Sequence, residues 1–215
     1  MKPFVHLNCA MTVDGKIATQ NSCLQISGKD DLIRVHKLRL KYDAIMVGIN
    51  TVIVDDPRLT VHKINADKCS NPVRIVIDSN ARIPLDSRVL NDEAETVLVV
   101  SENAPEDKIT LLEDKCSVIV CGESRVNLKD AMNKIYDMGI RSILLEGGST
   151  LNFSMFKDKL IDRVTVCIGS KILGGTNSKT FVDGDGFDKD NCIQLKLENI
   201  EKIDDDVVLT YNVVY

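Results

Sequence analysis

The sequence predicts an α/β fold, with a mostly parallel central sheet, flanking helices and a C-terminal antiparallel hairpin. Three observations carry that expectation. Short apolar, β-branched runs recur along the chain, helical patterns lie between several of them, and the tail alternates polar and apolar residues on both sides of an acidic turn.

Taken in order, the strand-like runs are FVHLNCAM (4–11), AIMVGI (44–49), VRIVID (73–78), TVLVVS (96–101), SVIVC (117–121), SILLE (142–146) and RVTVCIG (163–169). Helical periodicity falls at 29–42, 106–115, 128–138 and 150–160, so the order resembles βαβ units. IQLKLEN (193–199) and VVLTYNVV (207–214), joined across IDDD, read as a hairpin at the sheet edge. No repeat, low-complexity tract or Pro/Gly-rich linker interrupts the chain, which predicts one domain over 1–215. In the first run Phe4, His6, Asn8 and Ala10 share one face, and Val5, Leu7, Cys9 and Met11 the other. The second face is wholly apolar, so Asn8 is expected to look toward another layer or a site. Ahead of the first helix, Ser27 and Asp30 resemble a capping box, and Asp31 adds a negative charge near the helix start. The apolar stripe of that helix, Leu32 and Val35, continues into Arg39. An arginine there needs a carboxylate or a bound anion, or else snorkels to solvent.

Composition sets bounds on function. The 215 residues are 44% hydrophobic and 27% charged, the proportions of a folded soluble chain. A net charge of −5 repels nucleic acid and anionic membranes, so any anionic ligand must be held by local groups. The seven cysteines, at 9, 23, 69, 116, 121, 167 and 192, form no CxxC and no zinc-ligand spacing. They read as reduced thiols of a cytoplasmic protein, with Cys9, Cys121 and Cys167 acting as small hydrophobes. No metal site is expected. The opening MKPFVHLNCAMTVDGK has no long apolar stretch, and no run of about 18 apolar residues occurs, so neither secretion nor membrane spanning is expected.

Four segments have the composition of a site. Met11 to Ala18 holds Asp14-Gly15, a turn signal directly after the first strand. The stretch from Gly48 to His62 leaves a buried strand through Asn50-Thr51, which suits the cap of a short helical turn, and then packs Asp55, Asp56, Arg58 and His62 into a connection too polar for core. Ser79, Asn80, Ala81 and Arg82 follow another buried strand. In Glu146-Gly147-Gly148-Ser149-Thr150 two glycines open a helix, which allows close approach of a phosphate to backbone N–H groups. That last segment is neither GxGxxG nor a Walker loop, and Glu146 is also placed to cap the next helix. A further loop, KILGG (171–175), flanks a lysine with glycines.

In this order, MTVDGKIAT, DLIRVHKLR, IMVGINTVIVDDPRLTVH, NPVRIVIDS, SILLEGGSTLN and KILGG resemble, end to end, the reductases of early riboflavin biosynthesis in their stand-alone archaeal form. The resemblance implies a dihydrofolate-reductase-like fold, a homodimer and NADPH, with NADH the lesser alternative. It also implies reduction of the ribosylamino side chain of 2,5-diamino-6-ribosylamino-4(3H)-pyrimidinone 5′-phosphate to the ribitylamino form. Carried over by residue, Thr51, Asp55, Ser79, Asn80, Ala81, Arg82, Gly147, Gly148, Ser149 and Thr150 would meet the cofactor. Arg39, Leu59, His62 and Glu146 would meet the substrate. Glu146, Asn8 and Asp14 are the candidates for the chemistry, Glu146 for substrate orientation or proton transfer. The bacterial bifunctional enzymes of this family carry Lys in place of Asn8 and Arg in place of His62. No H-x-E with a following P-C-x-x-C is present, so the zinc deaminase module is missing from this sequence. The alternatives are the same reaction on the deaminated pyrimidine, a pterin or dihydrofolate reductase, and a non-catalytic nucleotide-binding protein.

Overall fold

All seven apolar runs are strands in the computed structural model, which describes residues 1–19 and 24–215. The chain gathers into two units, Met1–Phe4 with His36–Leu144, and Val5–Val35 with Leu145–Tyr215. Both are assembled from separated stretches, and the chain passes between them at 4/5, 35/36 and 144/145, where no linker composition marks the crossing.

In the first unit β3 (Ala44–Gly48), β4 (Val73–Ile77), β5 (Thr96–Val100) and β6 (Ser117–Val120) lie side by side in parallel, and β7 (Ser142–Leu145) flanks β3. Parallel strands covered on both faces read as continuous apolar runs, and Ile45, Val47, Val76 and Leu98 are accordingly 0% exposed. Three helices serve this unit: α2 (Ile49–Asp55), α3 (Glu106–Glu113) and α4 (Leu128–Asp137). The sequence logic of α4 is plain. Leu128, Ala131, Met132 and Ile135 are its buried stripe, and Asn127 Oδ1 accepts the Asp130 N–H at 3.1 Å as the N-cap.

In the second unit β1 (Phe4–Thr12) pairs in parallel with β8 (Arg163–Gly169), and the hairpin β10 (Gln194–Ile203) with β11 (Asp206–Val214) adds antiparallel strands in the order β10-β11-β8-β1. The C-terminal helix α5 (Ser149–Lys157) and a small ribbon of β2 (Lys16–Ala18) with β9 (Lys179–Thr180) complete it. The two-stranded ribbon has no counterpart in the sequence reading, because three and two residues are too few for a period to show. In β10 the register shifts between Leu197 and Asn199. The bulge keeps Leu195, Leu197 and Ile200 on one face, opposite Val213, Tyr211 and Leu209.

Three local expectations are corrected. The segment after β3 is already helix at Ile49, with Gly48 in the cap position, so Asn50 and Thr51 lie inside α2 rather than capping it. The first helix, α1 (Lys29–Arg39), starts after Gly28, whose carbonyl accepts the Leu32 N–H at 3.3 Å, and stops short of Tyr42, so Ser27 lies one residue outside the cap position. The acidic turn is only Asp204 and Asp205. Asp206 is 5% exposed, and its carboxylate accepts the Gly28 N–H at 2.7 Å and the Ser170 N–H at 3.3 Å.

The six described cysteines, 9, 69, 116, 121, 167 and 192, are free thiols, while Cys23 lies outside the described residues. Burial pushes Cys9 and Cys167 up to about 12, consistent with the role of small hydrophobes.

One charged side chain sits where the strand pattern hides it. Arg74, the second residue of β4, is 0% exposed, and its guanidinium donates to Asn91 Oδ1 at 2.9 Å, to the Arg88 and Asn91 carbonyls at 3.2 and 2.5 Å, and to the Ala94 carbonyl. It thereby holds the 88–94 loop against the sheet. Arg74→Met removes every one of these bonds from the buried donor, and we expect urea unfolding to show a loss of at least about 3 kcal/mol.

Candidate active site

The polar residues singled out in the sequence gather at the carboxyl ends of the buried strands, in two groups. In the first unit β3 runs directly into α2, where Thr51 is half-buried and Asp55 exposed. The neighbouring Asp56 behaves differently. It takes a left-handed backbone, φ 38°, and its Oδ1 accepts the Arg88 N–H at 2.8 Å, so of the two successive acids the second is structural. After β4 the chain turns through the buried Asp78, whose Oδ2 accepts the Ile83 N–H at 2.8 Å; burial raises its pKa. Within the turn Ser79 is consumed by the fold: its Oγ accepts the Val126 N–H, and its carbonyl accepts from both Ser101 N and Oγ. Ala81 (φ 49°) and Leu59 (φ 50°) are both buried in the core, so toward a ligand they can offer only backbone. Asn80 and Arg82 are exposed, and Arg82 Nη2 donates to Asn50 Oδ1 at 2.9 Å, tying the turn to α2.

Arg39 answers the question its stripe raised with a partner not anticipated: it donates to the Thr60 carbonyl at 2.8 Å. Arg39 is part of a basic cluster around His62. His62 has its pKa lowered, by burial first, against a hydrogen bond to the Thr60 carbonyl, and then by the neighbouring charges of Arg39, Arg58 and Lys63. Its Nδ1 lies 3.1 Å from the Thr60 carbonyl. A carbonyl can only accept, so this nitrogen carries the proton and Nε2 is left as an acceptor. The buried His36 stands edge-on to His62 with ring centroids 4.6 Å apart. Lys63 and His36 were not selected from the sequence, and Arg58 was noted only as part of the polar connection after β3. The only signal for His36 was its i, i+3 spacing from Arg39 on α1.

In the second unit, β7 ends at Leu145 and delivers the half-buried Glu146, whose charge contributes to the raised pKa of Cys9 on β1. Gly147 takes φ 95°, a backbone that a side chain would strain. Gly148 occupies the cap position of α5, and no acid lies in the first turn, so the helix N-terminus keeps its positive end uncompensated by its own sequence. The Ser149 hydroxyl, by contrast, is engaged: it lowers the pKa of Asp183 together with Thr180, against the effect of burial. Thr150 is exposed.

The polar face of β1 is buried and wired. Asn8 Oδ1 accepts from Arg34 Nη2 at 2.9 Å, and Arg34 Nε is held by the carboxylate of Asp31, 1% exposed, at 2.7 Å. Because a guanidinium only donates, Arg34 fixes which end of the Asn8 amide faces it, and the amide N–H₂ group points away. His6 Nε2 lies 2.8 Å from Thr165 Oγ1, which in turn lies 3.1 Å from Thr210 Oγ1. Asp14 accepts from the Thr12 hydroxyl at 2.6 Å, Leu173 N at 3.1 Å and Gly174 N at 2.6 Å, and these bonds hold its pKa down to about 2. Its carboxylate thus latches the KILGG loop to the end of β1. Among the described residues no group of His, Cys, Asp and Glu is arranged to hold a metal ion, and no helix is long and apolar enough to cross a membrane.

The histidines set a pH response. Burial, with the charges of Arg163 and Arg34, lowers His6 to about 4, and burial, with Arg39, His62 and Lys63, lowers His36 to about 3. An unfolded histidine takes its proton near 6.5, so below that pH the unfolded chain binds more protons and stability falls on acidification. We expect the melting temperature to decline from about pH 6.5 toward pH 4, and to decline less steeply in His6→Gln, as scanning calorimetry would register.

Comparison with known proteins follows the same lines. The family model of the RibD C-terminal domain matches residues 3–209. The 2,5-diamino-6-ribosylamino-4(3H)-pyrimidinone 5′-phosphate reductase of Methanothermobacter thermautotrophicus is 50% identical over 214 residues, 99% of both chains. The protein of that name from Archaeoglobus fulgidus is 41% identical over 98% of both. Among solved structures, a pyrimidine reductase-like protein of Corynebacterium diphtheriae superposes with TM-score 0.85 at 19% identity, over 99% of this chain and 92% of that one. Acinetobacter baumannii RibD gives 0.84 at 23% identity, over 100% of this chain and 59% of the longer one.

Proposed function

Because the chain belongs to the RibD C-terminal domain family and is a reductase of riboflavin biosynthesis, we propose that it reduces 2,5-diamino-6-ribosylamino-4(3H)-pyrimidinone 5′-phosphate with NADPH, as one cytoplasmic domain over 1–215. The observation that carries the substrate class is the gathering of Arg39, Arg58 and Lys63 around a neutral His62 in a chain of net charge −5. Cations are concentrated there against the sign of the whole, as a sugar phosphate requires.

The residues fit a nicotinamide dinucleotide. The start of α5 offers backbone N–H groups to a diphosphate and has no acid in its own first turn, the nearby Asp183 being held by Ser149 and Thr180, and Gly147 and Gly148 let the ligand approach. By the family resemblance Thr51, Asp55, Asn80 and Arg82 also belong to the cofactor, Arg82 to its 2′-phosphate, while Ser79, Ala81 and Ser149 act chiefly through backbone. When bound, the cofactor supplies hydride to C1′ of the opened ribosylamino group. The chain orients the substrate for that step. Glu146 accepts from the amino and ring N–H groups of the pyrimidine, and the N–H₂ of Asn8, aimed by Arg34, donates to it. Leu59 shapes the wall with its backbone. Asp14 contributes by holding the KILGG loop, a positioning role.

The functional unit is a homodimer. Leu195, Leu197 and Ile200 are 42%, 48% and 61% exposed, and the bulge in β10 aligns them with Leu209 and Tyr211. An apolar sheet face of that extent beside an edge strand invites a second copy. Light scattering should give twice 23.8 kDa, and Leu197→Lys should shift it toward the monomer.

Loss of NADPH absorbance with the diaminopyrimidinone phosphate, weak loss with its deaminated analogue and none with dihydrofolate are the expected results. Turnover of dihydrofolate, or preference for the deaminated compound, would reassign the substrate. Glu146→Gln adds donors where the pyrimidine also donates, and should raise KM for the pyrimidine or lower kcat at least about tenfold, about 1.4 kcal/mol, with NADPH binding unchanged. Normal turnover with a lowered melting temperature would leave Glu146 a structural residue.

A further inference from the structure

We propose that His36 is a positioning residue for the sugar-phosphate end of the substrate site, acting by holding the backbone of His62 and Lys63. This rests on the reading of His62 and Arg39 as substrate contacts.

The geometry is local and closed. His36 Nδ1 lies 3.1 Å from the His62 N–H and 3.3 Å from the Lys63 N–H, so one ring nitrogen accepts from two successive amides. A nitrogen accepting two N–H groups is unprotonated, and His36 is therefore the neutral Nε2–H form. The ring is only 4% exposed, so its place against those amides is set by the surrounding fold. One turn along α1, Arg39 takes the Thr60 carbonyl, while Asn71 Oδ1 accepts the Val61 N–H at 2.8 Å. Every residue from Thr60 to Lys63 is thus pinned through its backbone by a side chain from elsewhere.

The consequence falls on His62. With its amide held by His36 and its ring edge-to-face with the His36 ring at 87°, the imidazole is turned so that Nδ1–H reaches back to the Thr60 carbonyl. The bare Nε2 is then the group offered to a substrate hydroxyl, or to the proton that a phosphate dianion favours. Without His36 two successive N–H groups lose their acceptor, the segment loosens, and the His62 ring is free to take either tautomer. The Thr60 carbonyl has Arg39 as a second donor, so His62 is released without unfolding α1.

His36→Phe keeps a ring and removes the acceptor. His36→Asn restores an oxygen near the position of Nδ1. His36→Gln places its amide where Nε2 stood and does not restore it. With only three histidines in the chain, long-range ¹H–¹⁵N spectra resolve each ring. Wild type should show His36 as Nε2–H and His62 as Nδ1–H. In His36→Phe and His36→Gln the His62 resonances should move toward a mixture of tautomers, and KM for the pyrimidine phosphate should rise at least about tenfold, with kcat and the KM for NADPH within about threefold. His36→Asn should recover most of that loss.

A His62 spectrum and a pyrimidine KM that stay unchanged in His36→Phe overturn the proposal. So does a wild-type spectrum with Nδ1 of His36 protonated, a result that needs no variant to fold. The underlying reading is tested separately by His62→Ala. If that variant binds the pyrimidine phosphate normally while His36→Phe still scrambles the His62 tautomer, His36 positions the ring as argued and His62 is no substrate contact.

Discussion

Loop N–H groups have no ladder partner, and in this protein side-chain acceptors take them. Asp43 accepts from Arg141 and Ser142 N at 2.9 Å each, Asp162 from Val5 at 2.8 Å, Asp206 from Gly28 and Ser170, Asp14 from Leu173 and Gly174, Asp78 from Ile83, and His36 from His62 and Lys63. A buried or half-buried amide without a partner costs about as much as a lost hydrogen bond, so each of these acceptors decides where a connection lies. The pattern explains why so many acids sit next to strand ends without lining a site. Their charge is spent on the backbone.

It also marks what could be read ahead of the structure. A buried parallel strand announces itself, because it must be apolar on both faces, and 44–48, 73–77, 96–100 and 142–145 were legible on that ground alone. The α4 stripe was equally legible, since period and cap agree. By contrast, after β3 the sequence points to a short helical turn capped by Asn50-Thr51, and only the backbone shows that α2 already begins at Ile49, held by Ile49 and Val52 against the core. Asp206 was hidden for a different reason. Three consecutive aspartates give no hint of which one turns inward, and the answer depends on two amides far away in sequence.

For the candidate site the same division holds. Glycines before a helix, and polar residues after buried strands, point to ligands through local chemistry that a single sequence displays. Arg34 and His36 do not, because their partners are an amide side chain and two backbone amides on other segments. On α1 itself they look like an ordinary solvated face. Asp14 shows the converse error of emphasis: an acid in a conspicuous turn draws attention as a catalyst, while its oxygens are already committed to a hydroxyl and two N–H groups.

The acceptor pattern bears finally on electrostatics. A chain of net charge −5 that handles a sugar phosphate has to keep its acids from cancelling its cations. Where a carboxylate is held by N–H donors, as at Asp14 and Asp206, its charge faces local positive dipoles rather than a neighbouring arginine. Arg39 donates to a neutral carbonyl, that of Thr60, which orients the guanidinium. His62 reports the result, since Arg39, Arg58 and Lys63 all depress its pKa. Committing acids such as Asp14 and Asp206 to backbone N–H groups is how this fold keeps a positive site on a negative protein.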